Sequence, residues 1–227
     1  MIEKNRRQED PLGEVTWVLV LGTFNRKKGE ELAGLLDLSG IQIITLAHFS
    51  GVHPVEEDGQ TFAENARRKA AGYARQTGHW VLADDSGLEV DALGGRPGVH
   101  SARYAGPGAN DAANRRRLLA ELADTPLEKR AAAFVCHLAL ADPSGAIRAE
   151  ACGRCRGRIT FIEQGEQGFG YDPLFEILEY HRTFGQLGPV AKGRLSHRGR
   201  AIEQIRPVLL RIFSERTPPG GETWRGR

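Results

Sequence analysis

Val15-Thr16-Trp17-Val18-Leu19-Val20-Leu21, then Gly22-Thr23-Phe24-Asn25, then Arg26-Lys27-Lys28-Gly29-Glu30-Glu31-Leu32-Ala33-Gly34-Leu35-Leu36, is the stretch that decides the fold class. The first seven residues are nearly all apolar and read as a buried strand. The Gly-Thr-Phe-Asn break ends it. From Arg26 the apolar positions change period: Leu32, Leu35 and Leu36 share one face of a helix, with Asn25 placed to cap it. Ile41 to Leu46 is apolar again and reads as a second strand.

Further along, Thr61 to Gln76 has a helical stripe of Phe62, Ala66, Ala70 and Tyr73, with Arg67, Arg68 and Lys69 mostly off it. Trp80 to Ala83 predicts a third strand. Asp84-Asp85-Ser86-Gly87 reads as a turn, after which Leu88 to Ala92 continues. Asn110 to Ala123 predicts a helix with Leu118, Leu119 and Leu122 inward. Ala132 to Ala141 and Ile147 to Arg154 predict strands around a turn at Asp142-Pro143-Ser144-Gly145, with a further strand expected over Arg158 to Glu163. Arg198 to Glu215 predicts a last helix, apolar at Ile202, Ile205, Leu209 and Ile212, with a bend at Pro207. Strands and helices alternate early, and strands follow one another later. The expectation is an α/β fold with a mixed sheet.

The 227 residues, 40% hydrophobic and 26% charged, suit one globular unit. Residues 15–215 read as a single domain, with residues 1–14 a disordered extension and 216–227 a disordered tail. A formal net charge of +2 does not suit a general nucleic-acid binder, so phosphate recognition has to come from locally placed cations. No run approaches the roughly 20 apolar residues of a membrane helix, and the charged N-terminus has no apolar signal region. Cys136, Cys152 and Cys155 are too few for a disulfide scaffold, and a reducing cytoplasm is the default. Cys152-Gly153-Arg154-Cys155 has the spacing of half a zinc site. With no second Cys or His pair beside it, buried strand thiols are the simpler reading.

Four segments carry chemistry. At Thr23-Phe24-Asn25 a strand ends and a helix begins, so free backbone N–H groups and the helix dipole favour an anion there. Lys28 is one turn up the same helix, and the Walker spacing is absent. Asp84 and Asp85 are adjacent, so in extended chain one faces a cleft and the other faces structure. Glu56-Glu57-Asp58 forms a second acidic loop, and the two are placed to converge on one Mg²⁺, which binds through one or two carboxylates plus substrate phosphates. Gly168-Phe169-Gly170-Tyr171-Asp172 sets a ring between glycines beside a carboxylate, suited to a flat, hydrogen-bonding ligand such as a nucleobase. Lys192 and Ser196-His197-Arg198 offer a second cationic arm. Each also has a plainer reading as a capped helix start, a solvated turn or a charged surface. Arg115-Arg116-Arg117 belongs to no motif and reads as a solvated helix face.

Taken together the chain resembles the inosine-triphosphate pyrophosphatase family, over about Val18 to Phe213. The carriers are Thr23 to Lys28 (T-x-N-x-x-K), Thr61 to Ala66, Ala83 to Leu88, Leu93 to Gly98 running to Ser101-Ala102-Arg103-Tyr104, Gly168 to Pro173, and Ser196 to Gly199, all in family order. Tyr180 to Arg194 follows the pattern more loosely. The resemblance implies an elongated mixed β-sheet flanked by helices, with two lobes around a central substrate cleft, and a homodimer. It implies Mg²⁺-dependent hydrolysis of non-canonical purine nucleoside triphosphates to monophosphate and pyrophosphate. Thr23, Asn25 and Lys28 would grip the triphosphate. Asp85 would be proton acceptor and metal ligand, with Glu56 as second ligand and Glu57 the close alternative. Ser86 would touch substrate. Phe169, Gly170, Tyr171 and Asp172 would line the base pocket, with Lys192, His197 and Arg198 contacting the nucleotide from the second lobe. A nucleotide sensor on the same fold would be expected to lack the carboxylates, and a pyrimidine-specific relative to lack the Phe169 and Ser196-His197-Arg198 motifs. Both features are present.

Overall fold

The computed structural model describes residues 17–214. The expectations for 1–14 and 216–227, and for Val15 and Glu215, fall outside them. The strands are β1 (Trp17–Leu21), β2 (Ile41–Thr45), β3 (Trp80–Val90), β4 (Ala131–Ala141), β5 (Ile147–Ile159), β6 (Phe175–Ile177) and β7 (Arg182–Thr183). The helices are α1 (Arg26–Leu36), α2 (Phe62–Thr77), α3 (Asp111–Glu121), α4 (Phe184–Leu195) and α5 (His197–Ser214). Among the described residues the strands form one sheet in the order β2-β1-β3-β4-β5-β6-β7. β1 pairs in parallel with β2 and β3, as helical crossovers through α1 and α2 require, and the remaining pairs are antiparallel. The sheet is mixed and flanked by helices.

Two expectations are corrected here. Asp84 to Gly87 is no turn: β3 runs unbroken through it, each residue paired with β4 from Asp84–Leu138 to Gly87–Val135. The long partner supplies the ladder that the polar residues do not advertise. β5 extends to Ile159, so the strand expected over Arg158 to Glu163 is only its end, beyond which the chain leaves the sheet. The hairpin between β4 and β5 turns where expected. There Asp142 Oδ1 accepts from the Ser144 N–H at 2.9 Å, and Gly145 sits at φ 83°. α5 continues through Pro207 as a single helix.

Strand alternation decides the site. Trp17, Leu19, Leu21, Trp80, Leu82, Leu138 and Leu140 face α1 and α5 and share their core, where Trp17 and Trp80 pack on Phe213 at 5.3 and 5.5 Å between ring centroids. Val20, Val81, Ala83, Ala139 and Ala141 face α2, against Ala66, Ala70 and Tyr73. A third cluster, including Leu88, Phe134, Phe175 and Phe184, fills the distal end under α3 and α4. Burying each large side chain contributes about 1.5–3 kcal/mol, so all three clusters fix how helices sit on the sheet. Continuing the alternation, Asp84 follows Leu82 toward α1 and α5, and Asp85 follows Ala83 toward α2.

Gly153 shows how closely α5 is seated. A Cβ there would collide with the His197 carbonyl oxygen and the Ala201 amide. The glycine lets the first turn of α5 lie directly on β5, which carries His197 and Arg198 to the sheet beside Asp84.

Candidate active site

On the α5 side, Asp84 is buried and gathers cations. Its Oδ2 lies 3.3 Å from Lys28 Nζ and 3.6 Å from Arg198 Nε, and it accepts from Ser86 Oγ at 2.9 Å. Arg198 Nη2 donates to Ser86 Oγ at 2.7 Å, and its Nη1 donates to Glu31 Oε2 at 3.0 Å. Burial alone would push the Asp84 carboxyl upward. Lys28, Arg198 and Lys69, with the Ser86 hydrogen bond, outweigh it and hold Asp84 ionised, well below the usual carboxylate range. Arg198 is likewise buried, and Glu31 and Asp84 hold its charge in place. His197 is pushed well below its ordinary value, by burial first and then by Arg198 and Lys192, so it is neutral; its ring stacks on Phe134 at 4.8 Å.

The loop before α1 forms the mouth of this side. Thr23 Oγ1 accepts from the Asn25 N–H at 3.1 Å, and Asn25 Oδ1 caps the helix by accepting from the Lys28 N–H at 3.2 Å. Those bonds shape the loop around the helix N-terminus.

On the α2 side, Asp85 Oδ1 is 2.8 Å from Lys69 Nζ, and Asn65 Nδ2 donates to its Oδ2 at 3.3 Å. Lys69 Nζ also reaches Glu57 Oε2 at 2.9 Å. Burial raises the Asp85 carboxyl against the pull of Lys69, which makes it a better proton acceptor than a solvated aspartate. Burial opposes the charge on Lys69, but Asp85, Asp84 and Glu57 together overcome it and keep it protonated. In the acidic loop Glu57 is half-buried against Lys69, while Glu56 is exposed and Asp58 pairs with Arg68. The loop residue that shares the Lys69 ammonium with Asp85 is thus Glu57, not Glu56.

Among the described residues no group of three or more His, Cys, Asp or Glu side chains forms a ready metal cage. Asp85 and Glu57 are a pair of hard oxygen donors around a single ammonium. That chemistry fits Mg²⁺, which takes few protein ligands and completes its shell with phosphate oxygens and water.

Phe169 lies between two glycines in the loop that precedes β6. Gly168 and Gly170, at φ 78° and 62°, turn the chain sharply on either side of it, and a side chain at Gly168 would strike the Asp172 carboxylate. Lys192, Arg198 and Lys27 lie 4.4, 5.4 and 5.9 Å from the Phe169 ring centroid. Asp172 is buried; its Oδ2 accepts from the Phe169 N–H at 2.8 Å and from Lys192 Nζ at 2.7 Å. Tyr171 is also buried, its hydroxyl donating to the Ser101 carbonyl at 2.9 Å. Asp172 and Tyr171 therefore build the loop, and Phe169 is its half-buried face toward the cations of α1, α4 and α5. A cavity of about 100 Å³ is lined by Asn25, Lys28, Ser86, Phe169, His197 and Arg198. Beyond Phe169 a groove of about 760 Å³ runs between α1, α4 and α5. Neither space is lined by Asp84 or Asp85; the smaller one takes in Lys28, Ser86 and Arg198, the groups that surround Asp84, and Phe169 borders both.

Of the expected substrate-binding residues, Asn25, Lys28, Ser86, Phe169 to Asp172, Lys192, His197 and Arg198 line one cavity, and Thr23 shapes the loop beside it through the Asn25 N–H. Sequence reasoning missed Glu31, which bridges Arg198 and Lys192 (Oε1 to Nζ, 3.5 Å), and Asn65 and Lys69 behind Asp85. A signal existed for both: Glu31 follows Lys28 by three residues, and Asn65 and Lys69 are four apart, each spacing placing the pair on one helix face. It also set Arg115 aside as a solvated residue, whereas Arg115 Nη1 donates to the Gly170 carbonyl at 2.8 Å. The thiols do not form a pair: Cys155 is buried and Cys152 exposed, three residues apart on one strand and hence on opposite faces.

Fold and site together define an α/β protein whose cleft collects cations for an anionic ligand beside two differently tuned carboxylates. Comparison with known proteins places it more narrowly. The model of the Ham1 family matches residues 19–208, and the chain belongs to that family. It is 52% identical over 194 residues to a dITP/XTP pyrophosphatase of Rhodopirellula baltica, covering 86% of this chain and 93% of the relative. It is 49% identical to one of Desulforamulus reducens, covering 86% and 96%. A solved Ham1 protein from Coxiella burnetii superposes with a TM-score of 0.78 at 41% identity, over 86% of this chain and all (100%) of that one. Among the described residues no helix is long and apolar enough to cross a membrane.

Proposed function

We propose that the chain is a Mg²⁺-dependent nucleoside-triphosphate pyrophosphatase that removes non-canonical purine nucleotides, dITP, XTP and ITP, from the nucleotide pool as monophosphate and pyrophosphate. The observation that carries this reading is the split of Asp84 and Asp85 to opposite faces of β3, one locked among cations and the other raised in pKa beside Lys69.

Lys28 and the amides at the start of α1 receive the triphosphate. Asp84 holds Lys28 and Arg198 in place, so both are positioned before substrate arrives and little reorganisation is needed. Asp85 orients a water molecule and takes its proton as the water attacks phosphorus. The α–β anhydride breaks and pyrophosphate leaves. Mg²⁺, held by Asp85 and Glu57, would neutralise charge on the phosphate oxygens.

Phe169 stacks on the base, and the buried donors of Arg198 select for its edge. A 6-oxo purine presents an acceptor there, and adenine presents an amino donor. A site built around such a hydrogen bond discriminates by about 10⁴-fold or more against a base that leaves its donors unpaired. The test is a hydrolysis panel of dITP, ITP, XTP, GTP, ATP and UTP with Mg²⁺, resolving pyrophosphate from orthophosphate. Pyrophosphate confined largely to the first three supports the reading. Preferential release from UTP overturns the base assignment, and orthophosphate as the product overturns the reaction.

A further inference from the structure

The loop that carries Phe169 is held by the first turns of α3, which form one wall of the small cavity. The Gly170 N–H donates to Asp111 Oδ2 at 2.9 Å, and the Gly170 carbonyl accepts from Arg115 Nη1 at 2.8 Å. Arg115 Nε lies 2.9 Å from Glu163 Oε1, so one guanidinium ties both ends of the segment 163–170. The Arg115 side chain is only 15% exposed, unlike the solvated neighbours Arg116 and Arg117. Asp111 and Arg115 are four residues apart and share a helix face. With the Phe169 N–H fixed by Asp172, three successive peptide groups around the ring are pinned. Gly170 lies at φ 62°, so without these bonds a flexible glycine would leave the ring free to wander.

We propose that Arg115 and Asp111 are positioning residues for base recognition: they fix the orientation of the Phe169 ring and so act on base-dependent binding, not on the chemistry at phosphorus. This rests on the reading of Phe169 as the base-stacking ring. Neither residue is hydrogen-bonded or ion-paired to Lys28, Asp84 or Asp85; Asp111 lines the same cavity as Lys28, but its carboxylate is taken up by the Gly170 N–H, so the loss of either residue falls first on the Phe169 loop.

The experiment uses Arg115→Met, which keeps the stem and removes the donors, and the pair Asp111→Ala and Asp111→Asn. Each variant is assayed for kcat and KM with dITP and for inhibition by inorganic tripolyphosphate, which carries the phosphates without a base. The expected result is a rise in KM for dITP of roughly tenfold in Arg115→Met and Asp111→Ala, as for the loss of a charge-assisted hydrogen bond. kcat stays within about twofold, tripolyphosphate inhibition is unchanged, and Asp111→Asn, which keeps an acceptor for the Gly170 N–H, stays near the wild type. A parallel weakening of tripolyphosphate inhibition, a fall in kcat at constant KM, or an unchanged KM overturns the proposal. Should Arg115→Met fail to fold, the Asp111 pair decides by the same readouts. A wild type inert toward dITP removes the functional reading and this inference with it. An active wild type with unaffected variants removes this inference alone.

Discussion

Asp84→Asn separates the structural carboxylate from its chemical neighbour. The Asp84 side chain is wholly buried (0% exposed), and its partners Lys28 and Arg198 are 17% and 4% exposed. Breaking a buried ion pair by neutralising one member costs about 3–5 kcal/mol, because the remaining charge is left in a poor solvent. Arg198 retains Glu31 as a second partner, and Asn keeps the shape and one acceptor, which favours the lower end, about 3 kcal/mol. For a protein of this size that is a fall in Tm of about 6–12 °C. The pH dependence adds a signature. The folded pKa of Asp84 is depressed, so its contribution is complete above the unfolded value of about 4 and is lost as pH falls through the lower folded value. Thermal unfolding of wild type and variant from pH 7 downward tests this. The gap is full at neutral pH and narrows only below about pH 4. A variant melting within about 2 °C of the wild type at pH 7, or a gap that does not narrow in acid, refutes the argument.

Three more outcomes follow from the same geometry. Gly153→Ala drives a methyl into the first turn of α5 and lowers stability by at least about 1–3 kcal/mol in denaturant titration, with loss of activity because His197 and Arg198 move. Buried, neutral His197 costs stability in mild acid. Its folded pKa lies below the unfolded value of about 6.5, so stability falls as pH drops below that value, and His197→Phe removes this part of the slope in urea titrations at pH 7 and 5. Chelation of divalent cations abolishes hydrolysis, and added Mg²⁺ restores it, with no change in melting temperature beyond what cation binding itself contributes.

The parallel half of the fold was legible because β1, α1 and β2 announce themselves by a clean change of apolar period. The distal half was less so. β6 and β7 are three and two residues long, too short to show a period, and α4 is interrupted at Gly188 and Pro189, residues that carry no helical signal. The turn expected at Asp84 to Gly87 failed for an instructive reason. Two carboxylates, a serine and a glycine look like a break, yet here they are the working centre of a strand whose ladder is completed by β4. Most of the residues that gather around the small cavity sit in short motifs and were legible for that reason. Glu31, Lys69 and Arg115 were not, since each acts across the fold on a residue far away in sequence, and only tertiary structure brings such pairs together.

The central claim is that Asp85 performs the chemistry in a site that other residues build. The most direct test is Asp85→Asn, with pyrophosphate release from dITP and nucleotide binding by calorimetry measured on the same preparation. Loss of a positioned general base predicts a fall in turnover of about 10²–10⁴-fold with binding largely retained. Near-normal turnover in the variant would contradict the account.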